Sequence, residues 1–245
     1  MKKTLSNDES YFKMIQAKAP AKTKTYTPIS HLELINKIKS DIGRTEYIIT
    51  GEKYLCSGNA SVAIGTFTLS NNIDPELDLA VTFRNSYNKQ YSFKLYIGAS
   101  IKGTDNYIYL KDKENGDFTR LHKGMTEILT DDSIYDCINS SKEQFDNIID
   151  FKDHFKRLSL TNRDRYDILG KLFFARNILT TYQLNLVKSE FKKLEDSEIY
   201  PAGFGYAWQL YNSIATALRE SHPSELVELH QQVTEIFTDD LGVNF

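Results

Sequence analysis

The sequence predicts an α+β fold: an antiparallel sheet within about residues 44–121, flanked by an N-terminal helix and a C-terminal helical region. Three observations predict it. Between Arg44 and Leu121, short runs rich in β-branched and aromatic residues are separated by turn residues. Beyond about Asp131, apolar residues recur at three- and four-residue steps. A helical pattern around Leu32, Leu34, Ile35 and Ile38 precedes both, so the order is helix, sheet, helices.

The elements follow in chain order. Residues 1–26 read as a mobile basic arm: lysines stand at positions 2, 3, 13, 18, 22 and 24, and Lys18–Tyr26 has no apolar period. Residues 27–240 read as one α+β domain. Thr27 serves as N-cap and Pro28 as the first helical residue, and Asp41-Ile42-Gly43 ends the helix. In the sheet part, 44–121, the runs TEYIIT, EKYLCS, SVAIGTFTLS, LDLAVTFRN, YSFKLYIGASI and NYIYL form a meander. Its turns fall at Thr50-Gly51, Gly58-Asn59, Asn71-Asn72, Asn85–Lys89, Gly103–Asn106 and Asn115-Gly116. In the fifth run Tyr91, Phe93, Leu95 and Ile97 point one way and Ser92, Lys94, Tyr96 and Gly98 the other, as in a sheet with one covered and one open face. In the helical part, 131–240, Ser141/Gln144, Thr161/Asp164 and Thr180/Gln183 have capping-box spacing. A break at Ile199–Gly205 precedes helices from about Tyr206 to Glu220 and Pro223 to Phe237.

Composition narrows the class. The chain has 245 residues, 40% of them hydrophobic, a net charge of −3, 12 Gly and two Cys. Collagen and a disulfide scaffold are excluded. No apolar run reaches the length of a membrane span, and the N-terminus has no apolar signal core, so a cytoplasmic protein is expected.

Catalytic motifs are missing. His31, His122, His154, His222 and His230 form no metal-ligand spacing, and Cys56 and Cys137 read as inert thiols. No nucleophile elbow or phosphate loop occurs, and the acidic pairs Asp131-Asp132 and Asp239-Asp240 read as helix caps. No cofactor, metal or catalytic residue is expected, and the chain reads as a non-enzyme.

Charge is distributed unevenly. Residues 151–193 carry ten basic groups against four acidic ones inside an acidic chain, a pattern shared by nucleic-acid tracks and by solvated helix faces. Residues 82–102 interleave Arg84, Lys89, Lys94 and Lys102 with Phe83, Tyr87, Tyr91, Phe93 and Tyr96. Aromatic faces stack bases while cations track phosphates.

Arg84-Asn85-Ser86-Tyr87, then Lys89 and the strand YSFKLYIGAS, together with Trp208-x-x-Tyr211-Asn212-x-x-x-Thr216, resemble the signature of a family of phage- and plasmid-borne proteins of unknown function. The resemblance covers roughly residues 45–240. Where many members carry a Cys-x-Asn-Gly element, Lys102-Gly103-Thr104-Asp105-Asn106 stands here. The family implies a mobile-element setting in a bacterial host, near recombination or replication genes, and no established reaction.

The expectation is a phage- or plasmid-encoded single-stranded-DNA-binding protein that anneals or protects strands, acting as a homo-oligomer. Its contact residues would be Arg84, Lys89, Lys94 and Tyr96 on the sheet with Lys156, Arg157, Arg163 and Arg165 on the helices. The alternative is a phage structural or host-interaction (anti-defence) protein acting by protein–protein binding.

Overall fold

The computed structural model describes residues 6–24, 26–70, 72–111, 118–120, 125–195 and 205–242. The fold is α+β, as expected, with helices before and after an antiparallel sheet. The region expected as a single domain divides into two compact units: Met1–Ala99 with Asp112–Phe145, and Ser100–Lys111 with Asp146–Phe245. The Asn115-Gly116 turn, Asn71, and most of the break before Gly205 lie outside the described residues.

In the first unit, the expected arm contains a helix, α1 (Asn7–Gln16). Ser6 Oγ accepts from the Glu9 amide and the Glu9 carboxylate accepts from the Ser6 amide, a closed capping box. The side chain of Asn7 then pairs with a strand. Its Nδ2 donates to Glu52 O at 3.2 Å and its Oδ1 accepts from the Tyr54 amide at 2.6 Å. Lys18 to Lys24 are exposed, whereas Tyr26 is buried. Helix α2 (His31–Ile42) starts later than Thr27-Pro28 suggests, because Ser30 has Glu33 three residues on and closes a reciprocal box, which Thr27 cannot do.

The sheet runs β1 (Ile48–Cys56), β2 (Val62–Ser70), β3 (Leu77–Ser86), β4 (Phe93–Ile101) and β5 (Tyr107–Ile108) in sequential order, with β6 (Phe118–Arg120) antiparallel to β4. The first two expected runs are one strand. Thr50-Gly51 is a bulge in β1 rather than a turn, and Thr50 Oγ1 donates to Thr68 O. Gly65 opposes Phe83, and a Cβ there would lie 2.3 Å from the Phe83 ring, so only glycine fits. Along β4 the expected open face is absent: Leu95, Tyr96, Ile97 and Gly98 are all buried. Strand β3 is likewise buried at consecutive positions from Leu79 to Ser86, so these strands are covered on both faces. Helices α3 (Met125–Ile128) and α4 (Ser133–Asn139) follow, and α5 (Lys142–Arg157) passes into the second unit. The expected Ser141/Gln144 box does not close: Ser141 Oγ is buried without a hydrogen bond, and Gln144 Nε2 donates to Ile97 O.

The second unit adds β7 (Ser159–Leu160), α6 (Asn162–Gly170), a π-helical turn (Lys171–Ala175) and α7 (Thr181–Glu195). Then come β8 (Gly205–Tyr206), α8 (Ala207–Leu218), a 3₁₀ turn (Pro223–Glu225) and α9 (Leu226–Leu241). The boxes at Thr161/Asp164 and Thr180/Gln183 both close as predicted. Strands β7 and β8 pair antiparallel. The core gathers Phe151 and Phe155 of α5, Tyr211 of α8 and Phe237 of α9 in edge-to-face contacts at 4.3–5.8 Å. Trp208, Tyr211 and Ile214 are buried, as their spacing predicts, and Asn212 lies off that stripe. Among the described residues no helix is long and apolar enough to cross a membrane.

Candidate nucleic-acid interface

The β3–β4 hairpin is the first place to look for a contact surface. Arg84 is 5% exposed, and its guanidinium lies 4.7 Å from the Tyr91 ring centre and 6.0 Å from that of Tyr96. Lys94 Nζ sits 5.5 Å from the Tyr96 ring centre as well. Arg84, Lys94 and Tyr96 are thus brought together, but Tyr96 is only 1% exposed and offers no face to a base. The reading of Tyr96 as an open-face residue is corrected: cover on both sides of β4 overrides the alternation of its side chains. Lys89 alone stands exposed at the hairpin tip, with φ 63° and its Nζ 4.8 Å over the Tyr26 ring.

The Arg-Asn-Ser-Tyr segment has another role. Asn85 is fully buried. Its Nδ2 donates to Ile29 O and to His31 Nδ1, both at 3.0 Å, while His31 Nε2 donates to Ala60 O at 2.9 Å. These bonds fix the neutral tautomer of His31. The Tyr87 ring stacks on the imidazole at 3.9 Å between centres, and its hydroxyl accepts from the His31 amide. Burial holds His31 down at about 4, against an opposing push from the Ala60 carbonyl. Asn88 supplies the turn chemistry, accepting from Ser86 Oγ and from the Gln90 amide. The segment is a buried staple between the start of α2 and the sheet.

The second unit places its basic residues differently. Lys156 and Arg157 are exposed at the end of α5, where Arg157 Nε donates to Asp153 O. Arg163 is exposed on α6 and faces Asp167 at 3.7 Å. Arg165 is half-buried, its guanidinium 4.9 Å from the Phe191 ring of α7, so it joins α6 to α7. Lys171, Arg176 and Lys188 are exposed as well, and Lys171 pairs with Asp240 of α9. Asp164 is held below the usual carboxylate range by the Thr161 hydroxyl and amide in the cap.

Between these cations lie three aromatic rings that sequence reasoning missed. Tyr166 is 71% exposed, Phe174 79% and Tyr182 58%. The signal was in the spacing. Ile168 and Leu172 are the buried positions of α6 and the π turn. Tyr166, Gly170 and Phe174 each stand two residues from one of them, about 200° round the helix. They make a second stripe, opposite the core stripe, with Arg163 beside it. Phe174 meets Phe173 edge-on at 4.7 Å.

A cleft of about 700 Å³ lies elsewhere in the second unit, lined by Gly103–Asn106 together with Trp208, Asn212, Thr216 and Arg219, with Glu190 and Lys193 also on its wall. Its floor is occupied with itself. Asn106 Nδ2 donates to Asn212 and to Thr216 Oγ1, and Asn212 Nδ2 donates to Trp208 O. Its charges come in opposite pairs, Arg219 with Asp105 and Lys193 with Glu190. The Gly103–Asn106 loop and the Trp208–Thr216 stretch of α8 therefore meet in a hydrogen-bonded cluster. Among the described residues no group of His, Cys, Asp and Glu has the arrangement of a metal site. Burial raises the Cys56 thiol above its ordinary value, away from the thiolate form. No family model matches the chain, and neither a curated protein nor a solved structure does.

Proposed function

We propose that this is a phage- or plasmid-encoded, non-enzymatic protein that binds single-stranded DNA, annealing or protecting it, through the surface of α6, the π turn and the start of α7. The carrying observation is the exposure of Tyr166, Phe174 and Tyr182 within a stretch whose exposed cations are Lys156, Arg157, Arg163, Lys171, Arg176 and Lys188. Exposed rings stack unpaired bases whatever their identity, and flanking cations follow the phosphates. A solvated helix face would need the cations but not the rings. The mobile-element setting rests on the resemblance at Arg84–Tyr87 and Trp208–Thr216. Of the residues expected to make contact, Lys156, Arg157 and Arg163 stay in this reading. Arg84 and Tyr96 leave it because they are buried, Arg165 because it packs on Phe191, and Lys89 and Lys94 because they lie over the Tyr26 and Tyr96 rings at the β3–β4 hairpin.

A titration of an oligo-dT strand at two salt concentrations tests the proposal. Affinity should fall as salt rises, with a log–log slope of about −0.7 for each phosphate neutralised. Replacing Lys156 and Arg157 together with Ala should flatten that slope by about 1.4. No measurable binding at low salt overturns the reading. The same exposed rings, on a chain of net charge −3, would then belong to a phage structural or host-interaction protein that docks on another protein.

A further inference from the structure

Gly170 is out of place in its helix. Its φ of −62° and ψ of −42° are ordinary helical values that every residue adopts. A Cβ built on it meets nothing within 4 Å, so no neighbour requires its absence. Glycine in a helix interior is nevertheless among the least favourable choices. The position thus carries a stability penalty that neither backbone nor packing explains, and such positions concentrate where a surface is used. The helix also changes here from α to π, with the Arg176 amide donating to Lys171 O at 2.9 Å, another feature frequent at functional sites.

What surrounds Gly170 gives the reason. Four residues before it stands Tyr166 and four after it Phe174, the two most exposed large apolar side chains among the described residues. We infer that Gly170 is a specificity residue: it leaves a bare backbone saddle between two rings, across which an unpaired nucleic-acid strand lies, with one base on Tyr166 and another on Phe174. This rests on the single-strand reading above. The residues that carry the two rings are eight apart, a backbone separation on the order of 12 Å along the axis at α-helical rise. That is more than three times the rise of about 3.4 Å between stacked bases in a duplex strand. Bases seated on both rings are therefore splayed apart, which a duplex cannot supply. Arg163, which faces Asp167, stands beside Tyr166 at one end of the saddle and Lys171, which pairs with Asp240, beside Phe174 at the other, so phosphates leaving either ring meet a cation. The occupant is identified by that combination of rings, gap and charge: a flexible polyanion with flat faces.

The test sets stability against binding. Gly170→Ala and Gly170→Gln should raise the unfolding temperature by about 2–4 °C, since each improves the helix and fills only open space. Gly170→Gln should also weaken binding of an oligo-dT of about 20 nucleotides by at least tenfold, and Gly170→Ala by less, with circular dichroism unchanged. A duplex of the same length should bind the wild type more weakly and be indifferent to both substitutions. If both variants bind oligo-dT as the wild type does while Tyr166→Ala weakens it, the saddle is refuted and the stacking surface stands. If the wild type does not bind oligo-dT at low salt, both fall together.

Discussion

The β3–β4 hairpin and the α6–π segment are made of the same materials, interleaved cations and aromatic rings, and use them in opposite ways. At the hairpin, Arg84 and Lys94 enclose the ring of Tyr96, which is almost inaccessible. On α6 and the π turn, Tyr166 and Phe174 stand clear while Ile168 and Leu172 hold the helix down. Cover separates them, not composition. A strand in a sheet covered on both faces has no side left for solvent, so every alternate position is buried. A helix packed along one stripe always keeps the opposite stripe free. Interleaved basic and aromatic residues therefore indicate a binding surface only after the cover of their element is known.

Substitutions sharpen this contrast. The largest effect should come from Tyr96→Ala, which empties a fully packed ring site and costs about 3–5 kcal/mol. Denaturant unfolding would show it as a lower midpoint, and a loss below about 1 kcal/mol would mean that β4 has an open side after all. Next is the acid response of the staple beneath the hairpin. His31 titrates near 6.5 when unfolded and at about 4 when folded, so the unfolded chain takes up the proton first. Its contribution is complete above pH 6.5 and is lost as the pH falls toward 4, on the order of 3 kcal/mol in all. Buried His230, held down at about 3, acts with the same sign in the second unit. Midpoints measured between pH 7 and 5 should fall steadily, whereas a flat profile would show that the imidazoles are solvated. The smallest effect on stability should be that of Tyr166→Ala, within about 0.5 kcal/mol. The same substitution should remove about 1–3 kcal/mol of single-strand affinity. A large destabilisation there would place Tyr166 in the core and erase the distinction between the two regions.

Much of the architecture can be read from local signals, and the failures have specific causes. The Thr161/Asp164 and Thr180/Gln183 boxes are legible because both partners lie within four residues of each other. The Ser6/Glu9 box is equally local, but the lysines around it suggest a disordered arm and hide α1. Gly51 looks like a turn because a bulge and a turn use the same residue, and only pairing with Thr68 distinguishes them. Tyr96 could not be placed from its strand, since the alternation of β4 does not tell whether its second face is covered. Tyr166 and Phe174 could have been placed, because the core stripe through Ile168 and Leu172 also defines its opposite.

The amide of Asn7 has a consequence for how molecules of this protein meet one another. Among the described residues, strand β1 is the first in the sheet order and has one edge with no strand beside it. Such an edge is a template on which another chain can grow a strand of its own. Asn7 satisfies Glu52 O and the Tyr54 amide as a neighbouring strand would, yet it does so from a helix that cannot continue the ladder. The side chain imitates one rung and ends the series there. At that position a second strand would have to displace Asn7 before it could pair.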